Sequence, residues 1–271
     1  MNRSRPTVAD IRALKGVRQL TMVYVREADE ARACAEAGID ILSIEQPFFT
    51  PEMRDAAGDC FVQVGLQYGR LATTDDYLRA AHDAMLAEAD CCYSAASTEV
   101  IARLSAEGIP VVGHVGLIPS RRTWTGGFRA VGKDVDSALL VMEQVRALES
   151  AGAFAAEIEV VPAAITSEIA ARTTLVMLSM GAGTGGDAQY LFSEDILGYT
   201  QGHRPRHAKV YRDFAAEFAR LQHERVNAFG EFRADVETGA YPAPQHLVDV
   251  DPDVVASFVE ALDGPTNDLT P

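Results

Sequence analysis

Four times along the chain, a helix-type run rich in Ala and Glu stops at a small signal and passes straight into an apolar β-type run. The repeats are AEAG then IDILSIE (35–45), LAEAD then CCYSA (86–95), SAEG then IPVVGHVG (105–116) and ESAG then AFAAEIEVV (149–161). Gly38, Gly108 and Gly152 stand just past the helix ends, where a left-handed backbone costs glycine nothing. Near-continuous apolar strands alternating with amphipathic helices are the pattern of a parallel sheet covered by helices. Strands are expected at 20–25, 41–45, 61–64, 91–94, 110–114, 155–159, 175–180 and 196–199. Eight strands with helices between them predict an α/β fold, a (β/α)8 TIM barrel, in preference to an open doubly wound sheet.

Size and composition agree with that reading. The 271 residues, 48% hydrophobic and 23% charged, fall near the roughly 250 residues typical of such barrels. No Pro/Gly/Ser linker or charge block divides the sequence, so one domain is expected over 1–271. Its C-terminal helices begin with a long segment at 205–238, and the tail after Leu262 is expected to fray. A net charge of −15 repels phosphate backbones and anionic lipid, which argues against nucleic-acid and membrane-surface partners and for a small-molecule substrate. No run reaches the roughly 18 apolar residues that a membrane span requires. The N-terminal Met-Asn-Arg-Ser-Arg-Pro has no apolar stretch behind it, so a signal peptide is not expected. Cys34, Cys60, Cys91 and Cys92 form no C-x-x-C pair and read as reduced thiols of a cytoplasmic protein.

Barrel chemistry sits at the C-terminal ends of strands. That rule singles out Glu45, Gln46, Gly65, Gln67, Tyr93, His114, Glu159, Ser179 and Gly181. Glu159, between Ile158 and Val160, is expected to have its pKa raised by desolvation and to serve as a general base. Glu157 lies on the same side of the strand, and a purely structural carboxylate is the competing role. His114, flanked by Gly113 and Gly116, suits hydrogen bonding to a substrate carbonyl or carboxylate, or a satisfied place in the core. The Gly181–Gly186 run reads either as an anion-binding nest or as a tight turn. The loop carrying Arg121 and Arg122 would cover the barrel mouth with positive charge, or simply be a solvated rim. His203 and His207 are four apart, but Pro205 interrupts the helix that would align them, and no third zinc ligand is apparent.

Val112-Gly113-His114-Val115-Gly116-Leu117-Ile118-Pro119 closely resembles the fifth-strand motif of the ketopantoate hydroxymethyltransferase family. The similarity runs on through Gly126-Gly127-Phe128, Ile158-Glu159-Val160-Val161-Pro162 and Gly181-Ala182-Gly183. It extends to Asp195, Gly198, Gly202-His203-Arg204-Pro205, Ala208-Lys209 and Gly239-Ala240-Tyr241-Pro242, so it covers most of the chain. The resemblance implies a barrel of the phosphoenolpyruvate/isocitrate lyase type and a homo-oligomer, decameric in the family. It also implies 2-oxo acid chemistry in which methylenetetrahydrofolate supplies a one-carbon unit to an enolate held on Mg²⁺. The family's base falls on Glu159 and its active-site histidine on His114. Its metal and substrate positions are changed. The second-strand aspartate falls on Gln46, or on Glu45 with a one-residue shift, and the third-strand aspartate falls on Gly65. The fourth-strand lysine and glutamate fall on Tyr93 and Ala95, and the segment between the second and third strands is shorter.

The site expected from these readings has Glu159 and His114 as catalytic residues and Gln46, Tyr93, Ser179 and Arg121 as substrate contacts. Glu45 is the one metal-ligand candidate, so the cofactor is left open, with Mg²⁺ and methylenetetrahydrofolate implied by the resemblance alone. The expected activity is enolate-type C–C bond formation or cleavage on a small 2-oxo acid, without the family's Mg²⁺. Two alternatives stay open: 3-methyl-2-oxobutanoate hydroxymethyl transfer proper, and a degenerate barrel that only binds a metabolite.

Overall fold

The computed structural model describes residues 5–264. Two compact units are distinguished, Met1–Asp213 and Phe214–Pro271, where the sequence shows no linker to mark a boundary. The first unit opens with helix α1 (Val8–Ala13), capped by a Thr7–Asp10 capping box. It continues with β1 (Leu20–Tyr24), α2 (Ala28–Ala37), β2 (Ile41–Glu45), α3 (Pro51–Ala56), β3 (Phe61–Gly65) and α4 (Thr74–Leu86). Next come β4 (Cys91–Tyr93), α5 (Thr98–Ala106), β5 (Val111–Gly116), the single turn α6 (Arg122–Thr125) and α7 (Val135–Ser150). The unit ends with β6 (Ala155–Glu159), α8 (Ala163–Ala170), β7 (Val176–Met180), β8 (Ala188–Phe192) and the short α9 (Ser193–Leu197). The eight strands close in sequence order into a wholly parallel barrel. This is the (β/α)8 TIM barrel that the helix–strand repeats predict.

The repeats turn as expected at their joints. Gly38, Gly108 and Gly152 have φ of 78°, 78° and 88°. In the repeat that lacks a glycine, Glu88 takes the same left-handed place with φ 67°. Outward-facing strand residues such as Val23, Leu42, Val62, Val111 and Ile158 pack against the helices. Inward-facing ones fill the barrel: Leu20, Ile41, Phe61, Cys91, Val112, Ala155, Val176 and Ala188 form an apolar plug joined by Ile11 of α1.

One strand lies elsewhere than expected. The eighth is Ala188–Phe192, and residues 196–199 fall partly in α9. The reason is an uncommonly short crossover: β7 and β8 are joined by residues 181–187 with no helix between them. The glycines of that stretch permit a tight passage along α8. A Cβ on Gly183 would stand 2.3 Å from the Ala163 Cβ, and one on Gly185 would stand 2.1 Å from Ser167 Oγ. The run is therefore a close-packed crossover, and of its glycines only Gly181 borders the cavity at the barrel mouth.

The second unit holds α10 (Phe214–Thr238) and α11 (Pro252–Asp263). The expected long helix thus begins nine residues later than Pro205. Of the tail expected to fray, Asp263 ends α11 and residues 265–271 lie outside the described residues. Among the described residues no helix is long and apolar enough to cross a membrane.

Candidate active site

Alternation within β6 sends Glu157 and Glu159 into the barrel, one layer apart. Register pairs His114 with Glu157 and Gly116 with Glu159 across β5 and β6. The close approach needs glycine at 116: its φ is +84°, and a Cβ there would stand 2.5 Å from the Glu159 carbonyl oxygen. Just beyond Glu159, Val160 holds φ 49°, a strained conformation for a β-branched residue. Two backbone hydrogen bonds clamp it, Val160 N–H to Met180 O at 2.9 Å and Val131 N–H to Val160 O at 3.1 Å. The strand end that carries Glu159 is thereby fixed.

The imidazole of His114 sits between the two carboxylates. Nε2 lies 3.2 Å from Glu159 Oε2 and 2.9 Å from the Leu117 carbonyl oxygen. Nδ1 lies 2.6 Å from the Tyr93 hydroxyl and 3.6 Å from Glu157 Oε2. Gln63 donates to Glu157 Oε1 at 2.8 Å and to Ser43 Oγ at 3.2 Å, which ties the cluster across the barrel to β2 and β3. Glu157 is 3% exposed, His114 7% and Glu159 8%, so Glu159 is nearest the opening.

Burial governs the proton equilibria here. It pushes the Glu157 carboxyl up to about 7, against the opposing pull of His114 and the Gln63 hydrogen bond. For His114 burial acts downward, but the Glu159 contact and the charges of Glu157 and Glu159 outweigh it and the net shift is upward. Burial also raises the Tyr93 hydroxyl well above its ordinary value, with Glu157, Tyr190 and Glu159 adding to the effect. The carboxyl whose pKa burial raises is thus Glu157, the deeper of the two on β6.

A cavity of about 1450 Å³ opens above this cluster. Its floor and walls include Tyr24, Ser43, Glu45, Gly65, Tyr93, His114, Glu157, Glu159, Met180 and Tyr190. Arg26, Arg70, Arg122, Arg129, Lys133 and Arg206 also border it, a cationic collar in a strongly acidic chain. His207 is half-buried against Gly181, where a Cβ would stand 2.5 Å from its Nδ1, and burial lowers its pKa.

Of the residues expected here, Glu159, His114, Tyr93 and Glu45 border the cavity and three do not. Gln46 turns outward and donates from Nε2 to Ala80 O at 3.3 Å, because the 3-10 turn after β2 carries it off the strand face. Ser179 is on the outward alternation of β7 and donates to Gly183 O at 2.7 Å. Arg121 is tied to Ala95 O at 2.9 Å, and its neighbour Arg122 reaches the cavity instead. Glu45 is exposed, and among the described residues no group of three His, Cys, Asp or Glu is placed to hold a metal ion. Sequence reasoning missed Gln63 and Tyr190. Gln63 is legible as the residue two before Gly65 on the inward face; Tyr190 is lost once β8 is misplaced.

The sequence model of the ketopantoate hydroxymethyltransferase family matches residues 50–244. The chain belongs to this family. It is 31% identical over 271 aligned residues to the 3-methyl-2-oxobutanoate hydroxymethyltransferase of Pyrobaculum calidifontis, covering 91% of this chain and 99% of that one. The enzyme of the same name from Nitratidesulfovibrio vulgaris is 28% identical over 282 residues, covering 95% and 90%. Among solved structures, a Burkholderia cenocepacia protein described as a phosphonomutase aligns with TM-score 0.51 at 16% identity, over 84% of this chain and 100% of that chain. An oxaloacetate acetylhydrolase gives TM-score 0.51 at 12% identity, over 94% of each chain. Likeness at that identity is one of fold. Family membership makes the chain an enzyme of transferase type, and the barrel-mouth cluster is where its chemistry is sought.

Proposed function

We propose that this enzyme makes or breaks a C–C bond of the hydroxymethyl-transfer type on a small 2-oxo acid, using Glu159 and His114 in place of a metal-held enolate. The observation that carries this reading is the imidazole held 3.2 Å from Glu159 at the mouth of the barrel, with a second carboxyl buried behind it. Glu159, the more open of the pair, removes the proton next to the substrate carbonyl. His114 supplies the compensating positive charge in a site largely shielded from water, where such charge acts strongly. The collar of Arg122, Arg129 and Lys133 receives the substrate carboxylate.

The Mg²⁺ implied by the resemblance does not fit the side chains present. Octahedral Mg²⁺ takes hard oxygen ligands at close range. At the second strand end Glu45 stands exposed and Gln46 is turned away to Ala80; at the third, Gly65 has no ligand to give. Glu157 and Glu159 are engaged by Gln63 and His114. Methylenetetrahydrofolate fits better: the cavity exceeds what a small oxo acid fills, and the collar suits its carboxylates. When bound it supplies the one-carbon unit.

A second reading, 3-methyl-2-oxobutanoate hydroxymethyl transfer proper with Mg²⁺, is favoured by the names of the relatives above. One assay separates the two. The protein is incubated with 3-methyl-2-oxobutanoate and methylenetetrahydrofolate, with Mg²⁺ or with a chelator, and the hydroxymethylated acid is measured by mass spectrometry. Product that persists in chelator supports the proposal. Product that strictly requires Mg²⁺ supports the second reading, and no turnover of any 2-oxo acid points to a barrel that only binds.

A further inference from the structure

The two faces of the His114 ring differ in what they can do with a proton. Nε2 meets only acceptors, the Leu117 carbonyl at 2.9 Å and the Glu159 carboxylate at 3.2 Å, so Nε2 carries a hydrogen in every arrangement that satisfies them. Nδ1 meets the Tyr93 hydroxyl at 2.6 Å, with Glu157 Oε2 at 3.6 Å. Carboxylates thus stand on both sides of the ring, and the charged groups facing it are Glu157 and Glu159. That setting favours the imidazolium, in agreement with the upward shift of its pKa. An imidazolium donates from Nδ1, so Tyr93 must accept that hydrogen bond and turn its own O–H elsewhere. Among the described residues the Tyr93 hydroxyl has no other hydrogen-bond partner, and Tyr93 borders the cavity. Gly65 borders the cavity beside the Tyr93 ring, where a Cβ would lie 3.7 Å from Tyr93 Cδ1 and 3.8 Å from Glu45.

We infer that Tyr93 is a catalytic acid of this site, donating its hydroxyl hydrogen to the substrate's carbonyl oxygen and drawing a replacement from His114 Nδ1. This rests on the enolisation chemistry proposed above and assigns the electrophile that a cation would otherwise supply. In the step, the C–H bond beside the carbonyl breaks and its proton passes to a Glu159 oxygen. The bonding pair becomes the new C=C bond, and the carbonyl π pair settles on oxygen. That oxygen takes the Tyr93 proton, and the His114 Nδ1 proton restores the phenol. One carboxylate and one imidazolium are consumed, one carboxylic acid and one neutral imidazole are formed, and the ketone becomes the enol, so charge balances without a further reactant.

The step is read directly as solvent deuterium uptake at C3 of 3-methyl-2-oxobutanoate, followed by proton NMR with the full chain and no one-carbon donor. Tyr93→Phe is expected to slow exchange about 10²–10³-fold while the dissociation constant for the oxo acid stays within about threefold, since the hydrogen bond strengthens as charge develops. Exchange in Tyr93→Phe within about threefold of the unsubstituted protein overturns the inference. In the unsubstituted protein, ¹⁵N NMR of His114 at neutral pH is expected to find both ring nitrogens protonated. A bare Nδ1 overturns the inference independently of how the variant folds. Exchange that is lost in Glu159→Gln but kept in Tyr93→Phe sinks the Tyr93 assignment alone. No exchange in the unsubstituted protein sinks the enolisation reading together with it.

Discussion

The lower and upper halves of the barrel interior are built from the same alternating inward positions, yet they do opposite work. Below, Leu20, Ile41, Phe61, Cys91, Val112 and Val176 are almost wholly buried hydrocarbon or thiol, with Ile11 closing the end. Above, the next inward positions include Ser43, Gln63, Tyr93, His114, Glu157 and Tyr190, while Met22 on β1 and Leu178 on β7 stay apolar. The lower layers gain stability from every carbon they remove from water. The upper layers spend some of it, since a buried carboxyl is costly unless paired or protonated. A barrel tolerates such a mouth because its closed strand ladder and its plug fix the geometry independently.

Substitutions should therefore separate the halves cleanly. The largest effect is expected on activity, at the top. Glu159→Gln removes the proposed base at nearly constant shape, so turnover should fall about 10²–10⁴-fold while the melting temperature is almost unchanged. Steady-state kinetics and a thermal melt on one preparation check both halves of that statement. Turnover equal to that of the unsubstituted protein would remove Glu159 from the mechanism.

The converse substitution lies at the bottom. Phe61 is 2% exposed and packs edge-on against Phe154 at 6.2 Å between ring centroids. Phe61→Ala should cost about 3–5 kcal/mol of stability, measured by urea unfolding. Protein that remains folded should turn over at close to the normal rate, because the plug does not touch the cavity. A large loss of turnover in the folded fraction would mean that the two halves are mechanically coupled.

How much of this contrast is legible in the sequence depends on range. Helix–glycine–strand repeats are local, so the barrel and seven of its strands follow from them. Period-two alternation places Glu157 and Glu159 on one face, and the strand assignments put Tyr93 at the end of β4 and His114 two residues before the end of β5. What alternation cannot supply is the turn geometry just past a strand. Gln46 is lost to a 3-10 turn, and Arg121 and Arg122 change roles according to which reaches back to Ala95. Ser179 fails for a simpler reason, since a strand end offers one inward and one outward residue and the inward one is Met180. The glycine crossover misplaces β8, because no helix announces it.

The pH dependence of stability probes the upper half alone. A folded-state pKa above the unfolded value means that the native protein holds its proton more tightly. That contribution is complete below the unfolded value and is lost as pH rises through the folded one. For Glu157 the window runs from 4.5 to about 7, and His114 acts in the same direction from its ordinary 6.5 upward. The melting temperature should therefore decline as pH is raised through about 7, with a loss on the order of 3 kcal/mol from Glu157. Glu157→Gln should flatten that part of the profile, whereas Phe61→Ala should lower the whole profile and keep its slope. A slope unchanged in Glu157→Gln would place the titrating carboxyl elsewhere.

The smallest effect is expected where the family resemblance and the geometry disagree. By the resemblance, a metal-binding aspartate falls on Gln46 or, with a one-residue shift, on Glu45, yet the Gln46 amide donates to the Ala80 carbonyl and Gln46 does not border the cavity. Gln46→Ala gives up one partly buried hydrogen bond, worth about 1 kcal/mol of stability, and takes nothing from the cavity. Turnover and KM should stay within about threefold of normal, in contrast to Glu159→Gln at the end of another strand of the same barrel. A large fall in turnover would mean that Gln46 swings inward when substrate binds, and would restore the second strand end to the active site.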